Sequence, residues 1–339
     1  MWQKKEQGGS SSTLSSDINE KETPKMGKEP EHVALEGDDG SWTEALKGIR
    51  DKGHGGYMIV SWNIRGLNKV AKQKEISSRL FKLQPNIAIL LETRVKKEKA
   101  EKWRQKIGGN WQVCDNYRNH ANGRIWILWQ GSKVNIQTVS MTDQMIHCGL
   151  YGRDGKFVQW LTAMYAANQL ERRKELWKDI ERLGSNQQGP WIMLGDFNNV
   201  LGFHERIGRN EVKEAEFSDL REMMVATGLF EVDCIDDKFT WYNKHAEGAI
   251  YSCIDRVIGN LAWIQSNKDK TVHILEPGIS DHAMLCIKGN EQVVRKKTSF
   301  KFINAVIEAE GYRTEVEKNW KRKIHGNNSQ MMWNKLKRL

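Results

Sequence analysis

Three common features are missing from this sequence of 339 residues. No apolar run approaches the roughly 18 residues that a membrane-spanning helix needs. The first 25 residues lack the apolar centre of a secretory signal, and no internal repeat is present. We therefore expect an intracellular protein without a membrane segment. No motif in the sequence predicts a protein partner.

Paired cysteines are missing as well. The sequence has 5 cysteines, which is an odd number, and none of them forms a CxxC motif. This pattern argues against both a disulfide framework and a zinc knuckle. Reduced, buried thiols are the expected state of these side chains.

Basic residues outnumber acidic residues outside the N-terminal segment. The formal net charge is +10 at pH 7. Residues 1–50 hold 7 Lys+Arg against 10 Asp+Glu, whereas residues 291–339 hold 12 against 5. A basic body with a basic C-terminal segment favours a polyanionic partner, nucleic acid first. Charge alone leaves a solvated basic surface open as the alternative.

Composition divides the chain into three parts. Residues 1–56 are rich in Ser, Gly, Glu and Lys and poor in aliphatic residues, which predicts a disordered, low-complexity segment. Residues 57–289 contain the apolar periodic segments and are predicted to form one domain. Residues 290–339 are basic and partly helical in pattern, like a linker. This last part could contact a phosphate backbone or form a solvated amphipathic helix.

Strand-like and helix-like segments are mixed within residues 57–289. The segments YMIVSWN and NIAILLET are predicted strands, and between them Ile76, Leu80 and Leu83 recur at helical spacing. Further along, several strand-like segments follow one another with hairpin-like breaks. The pattern predicts an α/β fold with two packed β-sheets flanked by helices, a four-layer α/β sandwich.

The segment WIMLGDFNNV places a carboxylate and a carboxamide directly after an apolar strand. Asp196 and Asn198 would point the same way if the strand continued, because residues i and i+2 of a strand share a face. Gly, Asp and Asn are also common turn formers. This segment by itself does not decide between a site and a turn.

Other polar side chains stand beside predicted strands in the same manner. They are Asn63, Glu92, Tyr165, Asn168, Asp255, Asp281 and His282. Each one alone has an ordinary structural explanation, such as a strand end, a helix cap or a satisfied core group. If the two sheets align these strand ends, the side chains converge on one rim. Hard oxygen ligands for Mg²⁺, a carboxylate base and a carboxylate-held imidazole together suit hydrolysis of a phosphate ester.

The ordered motifs SWNIRGLN, LLETR, MYAAN, LGDFNNV, CIDRV and ISDHAML resemble the endonuclease/exonuclease/phosphatase superfamily. The segments NGRIWILW, TDQMIHC, ERRKELW and FTWYNK are more narrowly similar to the endonuclease domain of plant LINE-type non-LTR retrotransposons, at the front of their second open reading frame. The resemblance covers about residues 57–315. It implies the sandwich fold of deoxyribonuclease I.

The resemblance also implies a metal centre. Glu92 corresponds to the main metal ligand, Asn63 assists it, and Asp281 bridges the metal and His282. The expected ion is Mg²⁺, with Mn²⁺ as a substitute. Many relatives carry a carboxylate two residues after the Asn63 position, but this sequence has Arg65 there. One accessory metal contact is therefore expected to be lost.

Catalytic and DNA-contacting roles follow from the same resemblance. Asp196 corresponds to the residue that activates the attacking water, with Asn198 beside it, and Asp255 and His282 form the pair that stabilises the pentacoordinate phosphate. Tyr165 and Asn168 correspond to phosphate-contacting residues. The further candidates for contact with phosphate or DNA are Thr93, Arg94 and Trp241. Core packing is an equally acceptable role for Trp241.

We therefore expect a Mg²⁺-dependent phosphodiesterase of retrotransposon origin that nicks one strand of double-stranded DNA by in-line attack of water. We expect it to act in the nucleus. A phosphatase of the same fold and a catalytically silent nucleic-acid-binding remnant are the alternatives. The alanines of MYAANQ replace the glycine or proline usual after the tyrosine. No aromatic-x-Asp-Asp motif of a reverse transcriptase is present, so an isolated or truncated nuclease module is expected.

Overall fold

The computed structural model describes residues 57–108, 110–208, 211–235, 239–244, 248–289 and 312–321. The predicted disordered segment 1–56 and most of the predicted linker 290–339 lie outside the described residues. The predicted domain boundaries therefore stay predictions. Among the described helices, none combines the length and apolar composition that crossing a membrane requires.

The described strands and helices alternate along the chain much as the periodicity predicts. The strands are β1 (Ile59–Asn63), β2 (Ile87–Leu91), β3 (Trp111–Asp115), β4 (Ile125–Gln130), β5 (Val134–Met141), β6 (Met145–Gly152), β7 (Phe157–Tyr165), β8 (Trp191–Asp196), β9 (Arg206–Ile207), β10 (Leu229–Glu231), β11 (Trp241–Tyr242), β12 (Tyr251–Ser252), β13 (Asp255–Asn260), β14 (Lys270–Leu275) and β15 (Met284–Gly289). The α-helices are α1 (Val70–Leu83), α2 (Lys97–Ile107), α3 (Leu170–Gly184), α4 (Ser218–Thr227), α5 (Leu261–Ser266) and α6 (Tyr312–Trp320).

These strands form two six-stranded mixed sheets and one small three-stranded sheet. The first sheet has the order β14-β15-β1-β2-β4-β3 and the second has the order β10-β13-β8-β7-β6-β5. The small sheet has the order β11-β12-β9. In each large sheet one pair of neighbours is parallel, β1 with β2 and β7 with β8. Each parallel pair brings two strand ends to the same edge, where a site can form.

The main core lies between the two large sheets. Ile87, Ile89 and Leu91 of β2 face inward, together with Ile192 and Leu194 of β8, and all are buried. Because side chains alternate across a strand, the residues between them face the other side of each sheet. Each large sheet thus buries both of its faces, which explains why its central strands are almost continuously apolar.

The outer faces of the two sheets are covered by helices. Ile76, Leu80 and Leu83 of α1 pack on the first sheet, as their spacing predicts. Leu176 and Ile180 of α3 pack on the second sheet, and α4 joins them there. The helix–sheet–sheet–helix arrangement confirms the predicted α/β sandwich. All five cysteines are free, as expected, although Cys114 and Cys234 are only partly buried.

Candidate active site

The predicted site residues come together at the ends of six strands. Asn63 ends β1, Tyr165 ends β7 and Asp196 ends β8, while Asp255 begins the antiparallel strand β13. Tyr165 and Asp255 are both register partners of Asp196, one on each side. Glu92 follows β2 directly, and Asp281 and His282 lie just before β15. One rim of the sandwich therefore carries all of these side chains.

A buried chain of polar contacts joins the two sheets at this rim. Asn63 Nδ2 donates to Asp196 Oδ2 at 2.8 Å, and His282 Nδ1 lies 2.9 Å from Asp255 Oδ2. His282 Nδ1 is also 4.0 Å from Asp196 Oδ2. Each of these four side chains is buried. Two groups from the first sheet are thus locked to two carboxylates from the second.

The GDFN segment is a turn that also supports the site. The Asn198 N–H donates to Asp196 Oδ1 at 2.8 Å, and Asn198 Nδ2 donates to the Ala166 carbonyl at 2.7 Å. Asn198 has φ 46°, a left-handed conformation that asparagine tolerates better than most residues. Gly195 is required here because a Cβ would lie 2.1 Å from the Met164 carbonyl oxygen of β7. The segment is therefore both a turn and a part of the candidate site, the two interpretations that the sequence left open.

The buried carboxylates and imidazole shift one another's proton affinity. Burial and the nearby Asp255 raise the pKa of Asp196 to about 7, against the opposing effects of His282 and of hydrogen bonds from Asn198 and Asn63. Burial alone would lower the pKa of His282, but the charge and hydrogen bond of Asp255 outweigh it and raise that pKa to about 9. Burial and the charges of Glu92 and Asp196 raise the pKa of Tyr165, so its phenol stays protonated.

Glu92 and Asp281 form a second, more open group of acids beside this chain. Glu92 is 5% exposed, and its Oε2 is a buried atom without a hydrogen-bond partner. Its Oε1 pairs with Arg94, and Asp281 Oδ2 accepts a hydrogen bond from Trp241 Nε1 at 3.1 Å. An unsatisfied buried carboxylate oxygen near a second carboxylate suits a hard divalent cation. This donor set therefore fits a Mg²⁺ site.

Two groups of side chains at this rim could in principle hold a metal. The ligand atoms of Asp196, Asp255 and His282 all lie within 4.8 Å of one another. His282 Nδ1, however, is already engaged by Asp255, and the raised pKa of His282 means that a proton competes with any metal there. We therefore assign the candidate metal position to Glu92 and Asp281.

Asn63 lies between the two groups. Its Oδ1 accepts the Arg65 N–H at 3.0 Å, while its Nδ2 donates to Asp196. Only one lone pair of Oδ1 is left for a metal, because an amide oxygen has two. Asn63 thus lies between the candidate metal ligands Glu92 and Asp281 on one side and the Asp196 carboxylate on the other.

The residues predicted to contact phosphate or DNA lie in different environments. Thr93 is fully buried and donates its hydroxyl to the Gly123 carbonyl, which ties the segment after β2 to the loop before β4. Arg94 and Asn168 are exposed. Trp241 is partly buried, and its ring centroid is 6.4 Å from that of His282. Of these four residues, Thr93 is the one that the structure does not bring to the surface of the rim.

Sequence reasoning missed the residues that hold the site in place. Thr240 Oγ1 accepts the Asp255 N–H at 2.9 Å. Ser280 Oγ donates to the Asn63 carbonyl at 2.7 Å. Gln144 Oε1 accepts the Ala167 N–H at 2.7 Å, in the loop after β7. Ser280 could have been found from its place in the SDH motif, but Thr240 and Gln144 carry no sequence signal because their partners are distant.

Arg65 is the most consequential residue of this kind. Its Nη1 lies 3.7 Å from Glu92 Oε2 and its Nη2 lies 3.3 Å from Asp281 Oδ2. The sequence pattern predicts only that a carboxylate is missing at this position. The structure shows that a guanidinium has been put in its place, across both acids.

Three solved structures share this fold. The endonuclease domain of TRAS1, a telomere-specific non-LTR retrotransposon, is 15% identical with a TM-score of 0.52, and the match covers 70% of this chain and 100% of that one. The AP endonuclease LMAP from Leishmania major is 14% identical with a TM-score of 0.54, over 72% and 94%. The 3′ phosphatase NExo from Neisseria, bound to product DNA hairpin, is 14% identical with a TM-score of 0.50, over 69% and 99%.

The family assignment comes from the sequence match. A model of the endonuclease/exonuclease/phosphatase family matches residues 60–282, well over half of the chain. The match begins within β1 and ends at His282, so it spans every rim residue from Asn63 to His282. The chain therefore belongs to the Endonuclease/Exonuclease/phosphatase family.

Proposed function

We propose that this protein is a Mg²⁺-dependent phosphodiesterase that nicks one strand of double-stranded DNA. The single observation that carries the proposal is the buried chain Asn63–Asp196–His282–Asp255 beside Glu92, whose buried Oε2 has no hydrogen-bond partner. A base, a cationic imidazole and a candidate metal position are thereby held within one rim. Phosphodiester hydrolysis needs these three together, because the anionic phosphate must be neutralised before water can attack.

Glu92 and Asp281, with Asn63 assisting, hold the metal in this proposal, and Mn²⁺ is expected to substitute for Mg²⁺. When bound, the metal supplies positive charge to the phosphate. Asp196 accepts a proton from the attacking water, and its pKa of about 7 suits a base that works near neutral pH. Asn198 lies beside it to orient that water.

His282 and Tyr165 act as donors to the phosphate. Asp255 engages Nδ1 of His282 and keeps the ring protonated, which leaves Nε2 to donate to a phosphate oxygen. The raised pKa of Tyr165 keeps its hydroxyl as a donor. Asn168 and Arg94 are exposed close to the rim and extend the contact along the strand. These donors act on the charge that develops on the reacting phosphate.

DNA is the substrate that the remaining observations favour. The net charge of +10 favours a polyanion. The sequence resembles LINE-type endonucleases, and similar folds are found in the TRAS1 endonuclease domain and in a 3′ phosphatase bound to a DNA hairpin. Work on double-stranded DNA would place the protein in the nucleus. The product with a free 3′-hydroxyl follows from the same resemblance.

Nicking of supercoiled plasmid by the full chain tests the proposal. The reaction is run with Mg²⁺, with Mn²⁺ and with EDTA, and repeated with Asp196→Ala and His282→Ala. We expect relaxed circles that require the metal and disappear in both variants. DNA binding without nicking would instead indicate a silent nucleic-acid-binding protein. Turnover of phosphomonoesters alone would indicate a phosphatase.

A further inference from the structure

Arg65 lies across the two carboxylates that the proposed function assigns to the metal. Its two terminal nitrogens are 3.7 Å from Glu92 Oε2 and 3.3 Å from Asp281 Oδ2. One guanidinium therefore spans both acids, where a cation would otherwise balance them. The pair of acids carries two negative charges, and Arg94 already compensates Glu92 from the other side through Oε1. In this arrangement the candidate metal position has no net negative charge left to attract an ion.

The backbone that delivers this guanidinium is held firmly. Arg65 has φ 49°, a left-handed conformation that costs a non-glycine residue roughly 1 kcal/mol. Its N–H donates to Asn63 Oδ1 at 3.0 Å, and Lys72 Nζ donates to its carbonyl at 3.0 Å and to the Ile64 carbonyl at 2.8 Å. The Gly66 N–H donates to the Glu92 carbonyl at 2.8 Å. The Arg65 Cα is thereby tied to the loop of Glu92.

The tip of the Arg65 side chain is held much less firmly. The side chain is 40% exposed, and neither nitrogen–oxygen distance is that of a strong charge-assisted hydrogen bond. Ion pairs with this exposure are worth about 0–1 kcal/mol each. The guanidinium can therefore leave the acids for solvent at little cost, while its backbone stays in place. A divalent ion and a guanidinium cannot share the space between the acids, because like charges at such distances repel.

We propose that Arg65 is a resident counter-ion of Glu92 and Asp281 that competes with the divalent metal and sets how tightly the metal binds. This proposal rests on the assignment of the metal position in the proposed function. Arg65 neutralises the two acids in the metal-free protein and moves aside when the metal binds. Metal binding is therefore weaker than it would be at the same two carboxylates without Arg65. The difference equals the free energy of the ion pairs that the metal displaces.

A purely structural role for Arg65 predicts the opposite sign. If the guanidinium served only to hold Glu92 and Asp281 in position, removing it would loosen both ligands and weaken metal binding. If it competes with the metal, removing it tightens metal binding. The direction of the change therefore distinguishes the two roles.

Calorimetric titration of the metal-free full chain with Mn²⁺ measures this direction without any turnover. We expect Arg65→Gln to tighten the Mn²⁺ dissociation constant about tenfold, as removal of two pairs of this exposure allows. Arg65→Lys keeps the charge and should stay close to the native value. Arg65→Asn provides a second neutral variant, because asparagine accepts the left-handed backbone that this position requires. It should tighten binding in the same way.

Arg153→Gln is the matched control. It removes one exposed arginine from the turn between β6 and β7, and Tyr165 at the rim lies at the opposite end of the nine-residue strand β7. Its Mn²⁺ affinity should equal that of the native chain. A tightening as large as that of Arg65→Gln would mean that net charge alone controls the affinity and would overturn the proposal.

A second readout is the denaturant midpoint of each protein with EDTA and with Mn²⁺. Arg65→Gln should unfold earlier than the native chain in EDTA, because its two acids lack their counter-ion, and should gain more stability from Mn²⁺. Unchanged or weaker Mn²⁺ binding by both neutral variants would overturn the proposal. Tighter binding without plasmid nicking would refute the proposed function but leave this inference standing. An absence of Mn²⁺ binding in every protein would overturn both.

Discussion

Two buried histidines, His282 beside the first sheet and His147 within the second, have pKa values shifted in opposite directions. His282 at the rim is 2% exposed and His147 in the middle of β6 is 1% exposed. Burial lowers the pKa of His147 to about 4, whereas the pKa of His282 is raised to about 9. The same side chain, equally buried, is neutral at one place and charged at the other.

The neighbours of the two rings account for this difference. His147 Nδ1 is 2.8 Å from Thr162 Oγ1, and its ring stacks on Trp160 with centroids 5.4 Å apart. Those groups are uncharged, so they do not offset the burial that lowers the pKa of His147. His282 has carboxylates at 2.9 and 4.0 Å instead. The fold therefore keeps His282 charged by placing carboxylates beside its ring. Burial strengthens this attraction because water does not screen it.

The largest expected effect that tests this comparison is on catalysis. His282→Gln should lower the initial rate of plasmid nicking by about 10²–10⁴-fold, the range that a positioned proton donor supplies. His147→Gln should leave that rate within a few-fold, because His147 lies among uncharged core groups. Both rates are measured at saturating Mg²⁺, and the fraction folded is measured by circular dichroism. Equal losses in the two variants would show that the effect comes from folding.

The next effect is on stability as a function of pH. Because the pKa of His147 is lowered in the folded protein, the unfolded chain binds a proton more readily below about pH 6.5. The contribution of His147 to stability is therefore fully present above that pH and is lost as the pH falls towards 4. At 1.36 kcal/mol per pKa unit, the loss reaches about 3 kcal/mol. It is measured as the difference in unfolding free energy between the native chain and His147→Gln at each pH.

Groups other than His147 titrate in both proteins and cancel from that difference. The side chains around His147 are uncharged, namely Trp160, Trp191, Thr162 and Gln187. A difference that stays constant from pH 7 to pH 4 would contradict the assignment of a neutral His147.

A moderate effect should separate the two carboxylates of the rim. Asp255→Asn removes the nearer partner of a charged, buried His282 and should destabilise the fold by about 1–3 kcal/mol. Asp196→Asn removes one of two crowded carboxylates and should leave stability unchanged or slightly higher. Urea unfolding at pH 7 measures both, and the His282 titration followed by nuclear magnetic resonance should move to lower pH in Asp255→Asn. A larger destabilisation by Asp196→Asn than by Asp255→Asn would mean that Asp196, and not Asp255, is the main partner of charged His282.

The smallest effect concerns the tryptophans beside the two histidines. Trp241→Phe keeps a ring near His282 but removes the hydrogen bond to Asp281 Oδ2, so nicking should slow by a few-fold. Trp160→Phe removes the hydrogen bond to the Gln188 carbonyl near His147 and should leave nicking unchanged. Rates at saturating Mg²⁺ compare the two. An effect of Trp160→Phe on nicking would mean that the core around His147 also shapes the rim.

Much of the fold follows from local patterns in the sequence. The helical spacing of Ile76, Leu80 and Leu83 predicts a helix on one sheet face, and that helix is α1. The apolar segments before Asn63 and Asp196 predict β1 and β8. These predictions succeed because burial of one face or of both faces leaves a period of 3.6, a period of 2 or a continuous apolar run.

The site was less accessible to the same reasoning. Asp196 and Asn198 could be named from their position after β8, but not the left-handed turn that lets the Asn198 N–H bond to Asp196. Thr93 is expected to contact phosphate, but its hydrogen bond to the Gly123 carbonyl could not be foreseen. Both outcomes depend on neighbours that are not adjacent in sequence. The catalytic and metal-binding roles themselves stay predictions until the variants are measured.

The sequence by itself determined the types of side chain available and the strand ends on which they stand. Tertiary structure decided which of those ends meet. Asn63 reaches Asp196 across 133 residues because β1 and β8 belong to two sheets that pack face to face. It also decided that the ring of His282 is charged and that Arg65 rests on Glu92. Charge interactions depend on distance and on the exclusion of water, and only the packed fold sets either of them.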